Sequence, residues 1–138
     1  YKKELISLVS KYKLNQKVKF IDKCESMPVI YSIADIVISS SIEPEAFGRV
    51  SVEAQSMRKP IIASNLGGSK ETIMKEKSGY LYDSKNPNDL ADIIYSFMNM
   101  SLESLKSFGI EGRKNILKKF DVEKMCNTTF TEYNKLIS

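Results

Sequence analysis

Two glutamates eight residues apart, Glu45 and Glu53, flank a segment suited to binding an anion. Gly48 lies between them and allows close approach of the backbone, and the apolar spacing after it predicts a helix. The free N–H groups and dipole of a helix start favour an anion such as phosphate. Carboxylates aimed at phosphate would repel it, so we interpret both as acceptors for hydroxyls of a sugar or ribose. The residue types leave open an alternative, an acidic loop before a helix whose early Glu only complements the dipole.

A second loop with candidate ligand contacts contains the pair Gly67-Gly68, directly after an apolar run. Paired glycines permit the backbone to approach a ligand closely. They equally permit a tight turn into the helix that follows. The sequence leaves both interpretations open.

The apolar pattern around these loops predicts alternating helices and strands. Strict alternation favours a Rossmann-like parallel α/β sheet of at least four strands, with helices on both faces and a helical carboxy-terminal tail. Both loops would then follow the carboxyl ends of strands, where ligands bind in such sheets. We expect residues 1–138 to form a single, partial domain. The predicted strands are 18–21, 35–39, 61–63 and 80–82, and the predicted helices are 2–12, 26–34, 49–57, 69–75, one starting at Asn86, and 101–137 with a break near Phe120-Asp121.

Composition excludes several classes of protein. There is no His, so imidazole chemistry is excluded, and Cys24 and Cys126 are too isolated to indicate a zinc site or a disulfide framework. The net charge of +4 lies in residues 1–23, which hold seven Lys and two acidic residues. A solvated, Lys-rich helix face explains this positive charge. The Arg-rich pattern of nucleic-acid-binding proteins is absent from the sequence. No apolar run reaches the ~20 residues of a membrane span, so we expect a cytoplasmic protein and leave peripheral contact with the inner membrane face open.

Several short motifs in a fixed order resemble one family. They are Ile33-Ala34-Asp35, Glu45-x-Phe47-Gly48 with Glu53-Ala54, Lys59-Pro60-Ile61-Ile62-Ala63-Ser64, Gly67-Gly68 with Glu71, Gly79-Tyr80-Leu81, and Asn88-x-Leu90-Ala91. This series resembles the carboxy-terminal, nucleotide-sugar-binding domain of the retaining family 4 glycosyltransferases (glycosyl transferases group 1), which have the GT-B fold. The resemblance covers roughly residues 4–97.

The resemblance implies a role for each motif residue. Glu45 would be the catalytic-site carboxylate that hydrogen-bonds hydroxyls of the donor sugar, and Glu53 would accept hydrogen bonds from the ribose. The sugar would meet backbone N–H groups of residues 46–48, and the diphosphate would meet those of Arg49 and Val50. The implied substrate-binding residues are Ala46, Phe47, Gly48, Arg49, Val50, Glu53, Gly67 and Gly68.

The resemblance also implies how the reaction is supported. The loop of Asp22, Lys23 and Cys24 would lie near the nucleotide base. The leaving group would depart as a nucleoside diphosphate, with no required metal. No cofactor would be needed, because the nucleotide sugar is a substrate. Positioning and electrostatic stabilisation of the leaving phosphate would then carry the chemistry.

Two family features have no counterpart in this sequence. Family members have an upstream loop whose Arg and Lys clamp the diphosphate, and an amino-terminal acceptor domain. We therefore expect the donor half of a bacterial hexosyltransferase of cell-envelope glycan biosynthesis, whose acceptor is a lipid, glycan or polysaccharide precursor. A truncated, catalytically incompetent nucleotide-sugar-binding or association module is the alternative. A response-regulator or dinucleotide-binding domain is disfavoured, because the sequence has neither an acidic phosphoacceptor cluster nor Gly-x-Gly-x-x-Gly.

Overall fold

The structure of the protein is a computed structural model that describes residues 1–137. Helices and strands alternate along most of this range, and only helices follow the last strand. None of these helices combines the length and apolar content needed to cross a bilayer. The helices are α1 (Lys2–Lys11), α2 (Met27–Ile33), α3 (Arg49–Ser56), α4 (Ser69–Thr72), α5 (Pro87–Met98), α6 (Leu102–Lys119) and α7 (Val122–Ile137), and the strands are β1 (Val37–Ser39), β2 (Ile61–Ser64) and β3 (Gly79–Tyr82).

The three strands form one parallel sheet in the order β1-β2-β3. In the central strand, Ile61 is paired with Val37 on one side and Gly79 on the other. Every residue of β2 is buried, which explains its uninterrupted apolar start at Ile61 and Ile62. The sheet confirms the predicted parallel α/β architecture, and α6 and α7 confirm the helical tail with its break at Phe120.

The prediction of at least four strands was wrong for the part of the chain that the structure describes, because residues 18–21 belong to no strand. Alternating apolar residues define a face, whereas a strand also needs a hydrogen-bonded neighbour. Here Val18 and Phe20 instead line an apolar depression together with Leu5 and Leu8 of α1.

Helices cover both faces of the sheet, as predicted. On one face, Tyr31 of α2 and Ala54 of α3 pack with the strand residues Ile61 and Ala63. On the other face, α5 contributes the fully buried Phe97, which packs with Ile62. The first of these two cores includes Ala54 of α3, the helix that follows the loop of Glu45.

Helix α6 holds the carboxyl end of α3. The Arg113 guanidinium donates a hydrogen bond to the Ser56 carbonyl in the last turn of α3. Asn115 of α6 donates to the Thr72 carbonyl at 3.1 Å, and Gln55 of α3 donates to the same carbonyl at 3.0 Å. These contacts hold the carboxyl end of α3. Its amino end lies at the carboxyl edge of the sheet, because α3 directly follows β1 in a parallel sheet.

Candidate functional site

The amino end of α3 has free hydrogen-bond donors. Gly48 is the N-cap residue directly before the helix, with φ of +77° and ψ of 54°, a left-handed conformation that glycine adopts without strain. Its carbonyl accepts hydrogen bonds from Ser51 and Val52 at 3.0 and 3.2 Å. Within residues 1–137 no side chain caps the helix, so the N–H groups of Arg49 and Val50 are available to a ligand. With the helix dipole, they can bind an anion.

Glu53 lies one turn into α3, and two side chains orient its carboxylate. The Tyr31 hydroxyl donates to Oε2 at 2.9 Å, and the Arg49 guanidinium donates to Oε1 at 3.1 Å. The Glu53 side chain is 36% exposed, whereas that of Arg49 is 83% exposed. The carboxylate is therefore accessible to a ligand, while the buried Tyr31 holds it in place through a hydrogen bond.

Tyr31 was not among the site residues predicted from the sequence, yet it contacts Glu53 directly. Burial, a hydrogen bond to Glu53 and the charge of Glu53 raise the pKa of the Tyr31 phenol to about 12. The phenol is consequently a hydrogen-bond donor at neutral pH. The only signal in the sequence was an aromatic residue on the apolar side of a predicted helix, which is typical of an ordinary core position.

Glu45 lies in the loop between β1 and α3 and contacts two other parts of the site. Its carboxylate accepts a hydrogen bond from the Ser41 hydroxyl, and its carbonyl accepts one from the Gly68 N–H at 2.8 Å. A Cβ on Gly67 would lie 2.2 Å from the Glu45 carbonyl oxygen, and one on Gly68 would lie 2.5 Å from the Phe47 carbonyl carbon. The paired glycines therefore allow two backbone loops to pack directly on each other, besides forming the turn into α4.

Phe47 is anchored by an aromatic contact outside the loop. Its ring packs edge-to-face on Phe120, with centroids 5.6 Å apart and an interplanar angle of 69°. Phe120 lies at the junction of α6 and α7. The side chain of Phe47 thus joins the loop to the helical tail, and its backbone lies against Gly68.

The structure brings most of the sequence-predicted site residues together at the carboxyl edge of β1 and β2. This group consists of Glu45, Ala46, Phe47, Gly48, Arg49, Val50, Glu53, Gly67 and Gly68. The group pairs carboxylates, which accept hydrogen bonds from hydroxyls, with a helix start that binds anions. Whether each residue contacts a substrate stays a prediction.

The candidate base-binding loop makes contacts of its own. Asp22 is paired with Lys2 of α1. The Cys24 thiol donates to the Ser26 carbonyl at 3.2 Å, next to the start of α2. The role of this loop at a nucleotide base stays a prediction.

The sequence matches the family model of the glycosyl transferases group 1 over residues 1–115. The uncharacterized glycosyltransferase MJ1178 of Methanocaldococcus jannaschii is 34% identical over 131 residues, which cover 95% of this chain and 34% of that protein. Spore coat protein SA of Bacillus subtilis is 31% identical over 119 residues, covering 86% of this chain and 31% of that protein. The chain thus spans about a third of the length of these curated relatives.

Solved glycosyltransferase structures share the fold. A glycosyltransferase from Rickettsia africae superposes with a TM-score of 0.91 at 31% identity, over 99% of this chain and 36% of that one. Anabaena Alr3699/HepE, solved in complex with UDP-glucose, superposes with a TM-score of 0.88 at 28% identity, over 98% of this chain and 36% of that one. These matches confirm the expected fold, part of the GT-B architecture. The family model and the structural matches agree, and the chain belongs to the group 1 glycosyltransferases.

Proposed function

We propose that this chain is the donor-binding part of a retaining family 4 glycosyltransferase, which binds a nucleoside-diphosphate sugar for transfer to an acceptor. The observation that carries the proposal is the uncapped amino end of α3, where the Arg49 and Val50 N–H groups are available between Glu45 and Glu53. A diphosphate is bound by hydrogen-bond donors at the positive end of a helix dipole, whereas the hydroxyls of the sugar and the ribose need hydrogen-bond acceptors. The site offers both kinds of group side by side.

Each part of the donor has a matching group in this arrangement. The diphosphate is bound by the N–H groups of Arg49 and Val50, where the helix dipole also stabilises the charge that develops on the leaving phosphate. Glu53 accepts hydrogen bonds from the ribose hydroxyls. Glu45 accepts hydrogen bonds from hydroxyls of the donor sugar, and the backbone of residues 46–48 lies beside it.

Catalysis in this proposal depends on position more than on acid–base chemistry. Holding the sugar and the leaving group in a reactive geometry removes much of the entropic barrier. Neither glutamate is assigned a proton transfer. Transfer without a required metal is part of the proposal, and the family resemblance is its support.

A UDP-sugar is the first donor to test, because HepE was solved with UDP-glucose. The acceptor, a lipid, glycan or polysaccharide precursor, would be held by an amino-terminal domain outside this chain. The relatives that match the chain are about three times as long, which leaves room for such a domain. We propose that the full gene product works in the cytoplasm, with its acceptor at the inner membrane face or in solution.

Titration calorimetry of the full gene product with UDP-glucose, UDP, GDP and ADP tests the proposal. We expect at least one nucleotide to bind, and Glu53→Gln to weaken its binding by about 1–3 kcal/mol, because a charged hydrogen bond to the ribose is lost. Glu103→Gln is the matched control, since Glu103 is an exposed residue of α6 outside the site. Folded protein that binds none of the nucleotides, or equal affinity in Glu53→Gln and the wild type, would contradict the proposal.

A further inference from the structure

Tyr31 and Glu53 are 22 residues apart in sequence and are joined by a hydrogen bond of 2.9 Å. We propose that Tyr31 is a positioning residue that fixes the Glu53 carboxylate for the ribose of the donor, an inference that rests on the proposed function. Tyr31 itself would not touch the substrate. It would act by holding one carboxylate oxygen in a set direction.

The aromatic ring of Tyr31 cannot easily move. The residue is 4% exposed and packs in the core formed with Ala54, Ile61, Ala63 and Ile73. A phenylalanine would fill the same space without a polar atom. The hydroxyl of a buried tyrosine is costly unless it finds a partner, and here its partner is Glu53.

The second partner of Glu53 gives a much weaker constraint. Arg49 donates to Oε1, but its side chain is 83% exposed. Exposed ion pairs one helical turn apart contribute little and are screened by salt. Tyr31 is therefore the buried, firmly packed partner of Glu53, and Arg49 is the exposed, weaker one.

The carboxylate keeps acceptor capacity for a ligand. Its two oxygens offer about four lone-pair sites in total. Tyr31 and Arg49 use one site on each oxygen, so one remains on each. Two neighbouring ribose hydroxyls could each donate to one of these sites, provided that the carboxylate does not rotate.

The protonation state of Tyr31 is compatible with this role. Burial and the hydrogen bond to Glu53 raise the pKa of its phenol to about 12. The hydroxyl is thus a donor at every pH at which the enzyme would work. Glu53 raises this pKa and the charge of Arg49 lowers it.

The role of Tyr31 is tested by comparing the affinity of the full gene product for a nucleotide with ribose and for one with dideoxyribose. UDP and 2′,3′-dideoxy-UDP are titrated into the wild type and Tyr31→Phe. We expect Tyr31→Phe to bind UDP about fivefold more weakly, because the acceptor geometry is lost, and to bind dideoxy-UDP as the wild type does. The control is Tyr80→Phe, which removes a hydroxyl from an aromatic cluster with Phe97 and Phe108 on the other face of the sheet. It should change neither affinity.

Adding Glu53→Gln separates positioning from a merely structural effect. We expect the double variant Tyr31→Phe/Glu53→Gln to bind UDP no more weakly than Glu53→Gln alone, because Tyr31 acts only through Glu53. Additive losses, or an equal loss for UDP and dideoxy-UDP in Tyr31→Phe, would overturn the inference. So would a Tyr31→Phe variant with wild-type discrimination, and in that case the donor site itself would stand. A wild type that binds no nucleotide would overturn the proposed function and this inference with it.

Discussion

The Gly68 N–H donates a hydrogen bond of 2.8 Å to the Glu45 carbonyl, and this bond joins the two loops of the candidate donor site. The loops meet backbone to backbone because Gly67 and Gly68 have no side chain there. The position of Glu45 therefore depends on a turn that follows a different strand.

Gly68→Ala should weaken donor binding by displacing the loop of Glu45. The added Cβ would lie 2.5 Å from the Phe47 carbonyl carbon, so one loop must shift. We expect a loss of affinity for UDP-glucose by calorimetry, and a free energy of unfolding lower by about 1–3 kcal/mol in denaturant. Asn65→Ala, an exposed position in the same turn, should change neither quantity. Wild-type affinity and stability in Gly68→Ala would contradict the observed packing of the two loops.

Phe120→Ala should loosen the loop through its contact with Phe47. Loss of the edge-to-face pair removes about 0.5–1.5 kcal/mol, and a freer Phe47 backbone should also lower the affinity for the donor. Thermal unfolding and calorimetric titration measure the two effects. Phe130→Ala serves as control because Phe130 is 67% exposed on α7. Equal behaviour of the two variants would show that the contact between Phe47 and Phe120 has no role in binding.

Gln55 tests how α3 is held in place. Its side chain is fully buried and donates to the carbonyls of Ser51 and Thr72, both at 3.0 Å, while its own Oε1 has no partner in the part of the chain that is described. We expect Gln55→Ala to lower the free energy of unfolding by about 2 kcal/mol or more, since it leaves a cavity. Gln55→Met should cost less, because it keeps the volume and Thr72 keeps its bond from Asn115. Unfolding in denaturant measures the free energy of unfolding of both variants. An equal loss of this free energy in Gln55→Ala and Gln55→Met would show that hydrogen bonding outweighs packing here.

Stability should depend on Tyr31 at alkaline pH. The folded state raises the pKa of its phenol from 10.0 to about 12, so folding favours the protonated form. The contribution of the protonated phenol to the free energy of unfolding is fully present below pH 10.0 and is lost as the pH rises toward about 12. We therefore expect the difference in unfolding free energy between the wild type and Tyr31→Phe to shrink over that range, by on the order of 2 kcal/mol. A difference that stays constant from neutral to alkaline pH would contradict the assigned environment of Tyr31.

Much of the fold follows from local patterns in the sequence. The all-apolar start of β2 and the break at Phe120 were both predicted, because burial on two faces and an interrupted helical period leave clear signals. The strand expected at residues 18–21 was wrong, since pairing depends on a neighbour that local alternation does not specify.

The candidate site, like the fold, could be predicted from the sequence only in part. The spacing of Glu45 and Glu53 around a helix start could be interpreted chemically from the sequence. The partner of Glu53 could not, because Tyr31 is 22 residues away and resembles an ordinary core aromatic until its hydroxyl is located. The meaning of Gly67-Gly68 also required the structure, because the sequence does not show that another loop lies against the turn.

A crystal structure of the full gene product with UDP-glucose would test the central claim most directly, by the distances from the diphosphate oxygens to the backbone nitrogens of Arg49 and Val50. We predict at least one oxygen within about 2.7–3.2 Å of one of these nitrogens, with the ribose hydroxyls at the Glu53 carboxylate. A diphosphate bound away from the amino end of α3, with Glu53 still paired only to Tyr31 and Arg49, would contradict the account.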